Sequence, residues 1–321
     1  MGEVTEVTRP PEPDWAAVTA GELVTYREAE NRFRASSGAR AMLGHPDPGA
    51  VIEWQEVPLA GRGLPVRVYR PVPGPGDTSA ARMTRLPLVL HVHGGSFVGT
   101  AVQCDWGNSH VAARLPAVVV SVEHRLLDPE TPLSAALADA WEVLQYLVLH
   151  ASEWGIDPAR TAVFGESCGA LISALAAIRA RETGLLLKAQ VLVNPAVDMT
   201  EAMFDHPSFD EFGYSPTRAV PLLRFFRQLA VPPGTDARAL SPLHADSLDD
   251  LAPALLVVPT HDALADHGRL YAERLRAAGT SARLTEYPGA RHAFLTLPGI
   301  EPQAEAAREE IIEFLRVALG A

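Results

Sequence analysis

The sequence predicts an α/β fold on a mixed, mostly parallel sheet of eight strands. Three observations carry that expectation. Apolar strand-like runs alternate with helical runs through most of the chain. A G-x-S-x-G pattern, Gly165-Glu166-Ser167-Cys168-Gly169, sits where one such strand meets a helix. Asp262 and His292 follow later in the chain, each directly after a predicted strand.

Composition bounds what such a chain can be. With 321 residues and 47% hydrophobic content it can bury a large core, and α/β folds of this length are often single domains. Met1 to Pro13 is acidic and proline-bearing, and no run of 18 apolar residues occurs, so neither an export signal nor a membrane span is expected. Two cysteines, Cys104 and Cys168, make no disulfide framework, and a reducing cytoplasm is the expected setting. A net charge of -12 without a local Lys/Arg cluster disfavours nucleic acid and anionic lipid as partners. Small neutral or mildly polar molecules fit better.

Taken in order, Trp15 to Met42 is a helical stretch with Leu23, Tyr26, Ala29 and Phe33 spaced for one face. Val51 to Leu59 and Leu64 to Tyr69 form a hairpin around Gly61-Arg62-Gly63. Pro71 to Arg85 reads as a surface loop. Leu86 to Val92 is a buried strand running into His93-Gly94-Gly95-Ser96-Phe97, whose glycine pair lets backbone N–H groups turn toward a bound oxygen. His91 and His93 are spaced H-x-H, but no third metal ligand follows at a plausible spacing, so no metal is expected. Ala117 to Glu123 is the next strand, and Pro132 to Leu149 is a helix with Leu133, Leu137, Trp141, Leu144 and Val148 on one face.

Thr161 to Phe164 is then a strand, and Ala170 to Ala180, free of glycine and proline, a helix. The glycines between them allow the sharp turn that exposes Ser167 Oγ, the candidate nucleophile. Cys168 is expected to be a small buried side chain. Ala189 to Val193 is a strand, after which Asn194 to Gly234 breaks the alternation with six aromatic residues, too many for a plain connector and typical of a lid or binding segment. Leu255 to Val258, a helix from Asp266 to Ala278, the strand Ala282 to Tyr287 and a closing helix Ala304 to Ala318 complete the chain. Asp266 is the expected N-cap of its helix, which leaves Asp262 free for another role.

In a parallel sheet, Ser167, Asp262 and His292 would lie along one edge. His292 could then take the proton of Ser167 while Asp262 fixes its tautomer and stabilises the imidazolium.

Four motifs make the chain from about Val51 onward resemble the hormone-sensitive-lipase-like family of α/β-hydrolase esterases. They are H-G-G-S-F at His93, H-R-L-L-D-P-E from His124 to Glu130, G-E-S-C-G at Gly165, and D-A-L-A-D-H-G from Asp262 with His292-Ala293-Phe294. The family's usual forms are H-G-G-G, Y-R-L-A-P-E, G-D-S-A-G, D-P-L-x-D-E-G and H-G-F. This chain departs from them at Ser96, His124, Asp128, Cys168, Ala263, His267 and Ala293. The resemblance implies a triad of Ser167, Asp262 and His292, and oxyanion donors from the backbone of Gly95, Ser96 and Cys168. It implies a helical cap from residues 1–48 and 199–235, no metal or organic cofactor, and a small-molecule ester cleaved through an acyl-enzyme. Short acyl chains, and deacetylation of a small metabolite, are the expected specificity, with the protein acting alone or as a homodimer. Two other readings use the same residues. A relative could transfer the acyl group or carry out an elimination on a specialised metabolite. It could also be a receptor, since the plant gibberellin receptors resemble this family while lacking the catalytic histidine; His292 is present here.

Overall fold

The computed structural model describes residues 7–73, 85–214 and 219–321. The first residues of the acidic N-terminus and most of the loop expected between Pro71 and Arg85 lie outside the described residues. After helix α1 (Ala20–Ala35) and the single turn α2 (Arg40–Leu43) come the hairpin strands β1 (Ala50–Leu59) and β2 (Arg62–Pro71). The alternating part follows: β3 (Leu86–Val92), α3 (Asp105–Arg114), β4 (Val118–Val122), α4 (Leu133–Leu149), α5 (Ala151–Trp154), β5 (Ile156–Glu166), α6 (Cys168–Thr183) and β6 (Ala189–Val193). Two helices, α7 (Pro207–Phe212) and α8 (Ala219–Ala230), interrupt it before β7 (Ala254–His261), α9 (Ala265–Ala277), β8 (Ala282–Arg291) and α10 (Ala304–Leu319).

The eight strands form one sheet in the order β1-β2-β4-β3-β5-β6-β7-β8. The hairpin is antiparallel and β2 pairs antiparallel with β4, while every later pairing is parallel. Both faces are covered, so the central strands are apolar on both sides. Val89, Val119, Phe164, Val191 and Val257 point to one face, where Trp106 and Val111 of α3 and Ile311 and Leu315 of α10 pack on them. Their neighbours Leu88, Leu90, Val118, Val120 and Val163 face Trp141, Leu144 and Leu147 of α4. On the same chain, α6 and α9 pack Ala174, Ile178, Tyr271 and Leu275 around Leu192 and Leu256.

Several elements differ from the sequence expectation in instructive ways. The helix expected from Trp15 to Met42 is broken. It starts behind Thr19, whose side chain caps Glu22 N–H while Glu22 reaches back to the Thr19 N–H, and it stops at the extended Ser36. Its buried face is also mixed, because Arg27 and Glu30 are buried with Leu23, Tyr26 and Phe33. β5 begins at Ile156, earlier than expected, because Leu86 and Pro87 pair with Ile156 and Asp157 although Asp157-Pro158 reads locally as a turn. β8 continues past Pro288-Gly289 to Arg291. A register shift in its ladder with β7 pairs His261 with Arg291, which sets Asp262 and His292 side by side at the end of adjacent strands.

Of the two segments expected to form a cap, the first is described from residue 7 and the second without residues 215–218. Trp15, Leu23 and Tyr26 pack with Phe209, Val220, Phe226 and Ala230 over Val92, Phe97, Cys168 and Leu171. The Trp15 ring lies 5.8 Å from that of Phe225 and 5.6 Å from that of Phe226. Polar anchors accompany this packing. Arg27 donates to Leu127 O at 2.6 Å, Asn31 to Val98 O at 2.9 Å, and Arg227 to Met199 O at 2.9 Å.

One buried ion pair fixes the hairpin to the rest. Arg67 of β2 grips both oxygens of Asp105 at 2.6 and 2.8 Å, Tyr69 Oη donates to the same carboxylate at 2.9 Å, and Asp105 is 1% exposed. Removing Arg67 leaves the buried carboxylate only Tyr69 and a longer contact to Arg40 at 3.5 Å, so Arg67→Met is expected to cost about 3 kcal/mol in urea unfolding. The double variant Arg67→Met/Asp105→Leu should cost less than the sum of the singles; simple additivity would show that the pair is uncoupled.

Candidate active site

Ser167 occupies a backbone conformation that ordinary residues avoid, with φ +55° and ψ −117° at the step from β5 into α6. Its neighbours explain how the chain tolerates this. A Cβ on Gly165 would collide with the Gly169 carbonyl, and one on Gly169 would run into the Val92 and His93 carbonyls of β3. A Cβ on Gly94 would lie 2.6 Å from the Glu166 oxygen and 3.3 Å from Ser167 Cβ. Only glycine lets three backbone segments meet this closely, and Ser167 N–H is held by Val193 O at 2.9 Å.

The structure brings together the three side chains that the sequence placed behind separate strands. His292 Nε2 lies 2.9 Å from Ser167 Oγ, and His292 Nδ1 lies 2.8 Å from Asp262 Oδ2. Asp262 is 3% exposed, and its other oxygen accepts the Leu264 N–H at 3.0 Å, which fixes the carboxylate from behind. An Nδ1–H donated to Asp262 leaves the Nε2 lone pair for the serine proton. Burial opposes a charged His292, but the Asp262 carboxylate, with Glu166 adding to it, outweighs burial and raises the imidazolium pKa above its usual 6.5.

Asp266 is not the cap of α9. It is the second residue of the helix, where it accepts the Ser208 N–H at 2.9 Å and pairs with Arg269 at 2.8 Å, tying α7 to α9. Propensity favoured Asp266 as the cap because it ignores a partner 58 residues away.

The loop after β3 is the segment expected to supply backbone donors. Gly95, Ser96 and Phe97 have φ of +92°, +50° and +55°, a run of left-handed residues. The backbone N–H groups of Phe97, Ser96 and Gly169 act on the Cys168 thiol against its burial, which puts this loop beside the start of α6. Burial pushes that thiol up to about 11, and it stays protonated.

Neither partner of the H-x-H pair meets the other. His93 stacks on His124 at 4.3 Å, and burial drives both pKa values down, leaving neutral rings beneath the loop. His91 instead faces Cys104 and Glu166. His267 is also neutral, its pKa lowered to about 4 by burial; it accepts the Val197 N–H and donates to Met203 O, both at 3.2 Å.

Sequence reasoning missed several residues at the site. Asn194, at φ +37° on the end of β6, places Nδ2 3.4 Å from His292 Nε2. Arg34 of α1 hydrogen-bonds Gln103 and pairs with Glu30 at 2.9 Å, and all three line a cavity of about 130 Å³ that opens on Ser167. No local pattern marks residues that a helix far upstream lowers into the site. An apolar recess of about 30 Å³, lined by Cys168, Leu171, Met199, Met203 and Phe226, lies on another side of Ser167.

Comparison with known proteins places this geometry. Residues 89–296 match the family model of the α/β-hydrolase fold. The chain is 35% identical over 311 residues to the carboxylesterase NlhH of Mycobacterium tuberculosis, covering 93% of each chain. It is 31% identical to an ethyl acetate hydrolase of Pseudomonas putida, over 90% of this chain and 89% of that one. Among solved structures, a hyperthermophilic esterase from the archaeon Pyrobaculum calidifontis superposes with a TM-score of 0.80 at 32% identity, covering 92% of this chain and 93% of that one.

Two measurements test the site. A neutral His292 is needed to take a proton, so kcat/KM should rise with pH through an apparent pKa above 6.5. Asp262→Asn should lower kcat about ten-thousandfold and move that acid limb to lower pH, since the charge that raised the pKa is gone. Asp266→Asn should leave the limb in place; a limb that moves only in Asp266→Asn would reassign the acid. Because Ser96 sits at φ +50°, Ser96→Gly should raise stability by about 1 kcal/mol while changing kcat less than about tenfold. A larger kcat loss would show that the hydroxyl itself donates.

Proposed function

The chain belongs to the α/β-hydrolase fold family, in its hormone-sensitive-lipase-like esterase branch, and we propose that it is a serine carboxylesterase acting through Ser167, His292 and Asp262. The observation that carries this reading is the unbroken hydrogen-bonded series from Ser167 Oγ through His292 to Asp262. Ser167 attacks the ester carbonyl as His292 Nε2 takes its proton. The backbone N–H groups of Gly95, Ser96 and Cys168 hold the resulting oxyanion, with preorganised dipoles that need not reorient. Collapse expels the alcohol with the proton from His292, and water, activated in turn by His292, releases the acid and regenerates Ser167. Each charge in the cycle has a fixed counterpart in the fold, so the reading requires no cofactor.

Residues 7–48 and 199–235 are read as a cap, supported by the packing of Trp15, Leu23 and Tyr26 on Phe226 and Ala230 above Cys168. The substrate is a small-molecule ester with a short acyl chain. The recess beside Cys168, about 30 Å³ between two methionines, Leu171 and Phe226, and a second of about 120 Å³ bounded by Leu222, Leu223, His261 and His292, accept little without displacing packed side chains. The Pseudomonas relative's name, ethyl acetate hydrolase, supports an acetyl group. Acyl transfer, elimination and a receptor role find no support among relatives named for ester hydrolysis. No helix among the described residues is long and apolar enough to cross a membrane; two buried free cysteines support a reducing cytoplasm as the place of action.

A chain-length series of chromogenic esters tests both parts of the reading. Ser167→Ala should lower turnover at least about a thousandfold without unfolding the protein, and a fluorophosphonate should label Ser167 in the wild type. Acetyl to hexanoyl esters should be cleaved at least about tenfold better in kcat/KM than decanoyl esters, the selectivity that overpacking by 1 to 3 kcal/mol produces. Retained activity in Ser167→Ala removes the serine mechanism. A profile peaking at long acyl groups removes the short-chain specificity.

A further inference from the structure

Beside the strained turn, three side chains from distant parts of the chain converge. His91 Nε2 from β3, the Cys104 thiol just ahead of α3, and a carboxylate oxygen of Glu166 at the end of β5 all lie within 4.8 Å of one another. None is accessible: their exposures are 0%, 3% and 4%. The group is also incompletely satisfied. His91 Nε2 and Glu166 Oε2 lack a hydrogen-bond partner, and the closest approach of the two residues, Nε2 to Oε1, is 3.7 Å. Orphaned polar atoms this deep are costly, and each such group needs an explanation.

The other ring nitrogen supplies a direction. His91 Nδ1 lies 2.8 Å from Ser121 Oγ on β4, and an Nδ1–H donated there turns the Nε2 lone pair toward Cys104 and Glu166. That is how metal-binding histidines are oriented by a partner behind them. Imidazole, thiolate and carboxylate together suit a borderline-soft divalent ion, above all zinc. We infer that His91, Cys104 and Glu166 form a binding site for zinc or a similar divalent cation, distinct from the catalytic residues.

Charge and access agree with this. Zinc bound to a thiolate, a carboxylate and a neutral imidazole is a neutral unit, the form a buried site tolerates best. The charges facing it are already committed elsewhere: Asp105 to Arg67 and Tyr69, and Arg34 to Glu30 and Gln103. Zinc bonds of about 2.0 to 2.3 Å put tetrahedral ligands roughly 3.5 Å apart, so a pair as wide as 4.8 Å must close by about 1.3 Å. Of the three, Glu166 lines the cavity of about 130 Å³ that opens on Ser167, so that cavity is the side from which an ion would enter. Ligation by the Cys104 thiolate releases the thiol proton, one per ion.

The test uses purified full-length protein stripped with a chelator and titrated with Co²⁺ and Zn²⁺. The wild type should bind one ion, show a thiolate-to-cobalt charge-transfer band that zinc displaces, and melt at higher temperature with zinc. Cys104→Ser should abolish the band and His91→Gln should weaken binding at least about tenfold, whereas Cys168→Ala should keep the band. Circular dichroism establishes that each variant is folded. No band in the wild type, a band that survives in Cys104→Ser, or one lost in Cys168→Ala overturns the site. Since binding is read spectroscopically, a cobalt band in a protein that cleaves no ester would refute only the catalytic reading, and an active esterase without a band only the metal site.

Discussion

The structure depends on one close approach of backbone to backbone, where Gly169 at the start of α6 rests directly on the carbonyls of Val92 and His93 and Gly165 rests on Gly169. No side chain fits between these segments. The contact holds Ser167 in its left-handed conformation, and it does so because β3 and β5 are hydrogen-bonded neighbours in the middle of the sheet, buried on both faces. The strain at Ser167 is thereby sustained by the most heavily packed part of the molecule. The same approach brings the loop after β3 alongside Ser167, so the turn that exposes the hydroxyl also positions the backbone donors around it.

Around this apolar frame the site is surrounded by buried polar groups that are kept neutral or paired. His93, His124 and His267 are held neutral by burial, and each hydrogen-bonds to backbone. His292, unlike these three, has its pKa raised, because the Asp262 carboxylate outweighs its burial. One imidazole is thus set apart as a base by its environment, although the sequence contains eleven histidines. On the α1 side, Glu30 is paired with both Arg9 and Arg34, which lets a charged helix face lie against the site.

Much of this was legible in the residues. The strands β3, β4 and β6 are unbroken apolar runs bounded by turn residues, and period and length place them within a residue or two. Ser167, Asp262 and His292 could be singled out because each follows such a run, and strand ends in a parallel sheet share an edge. Less legible were elements whose existence depends on a neighbour. The early start of β5 at Ile156 needs Leu86 and Pro87 beside it. The breadth of β8 needs β7, since Pro288 and Gly289 would end a strand judged by itself. Arg27, Glu30 and Arg34 look like the solvated side of a helix until the site they cover is known.

By itself, then, the sequence determined the order of strands and helices, the glycines that allow the sharp turn, and the chain order of serine, aspartate and histidine, because these follow from local periodicity and steric freedom. Only the tertiary structure decided which atoms meet. The shift that pairs His261 with Arg291 sets Asp262 against His292. The crossing of β3, β5 and the turn before α3 puts His91, Cys104 and Glu166 in one place. Contacts between residues 13 to 125 positions apart leave no periodic trace in the chain. They are fixed by strand register and by what the packed core leaves room for.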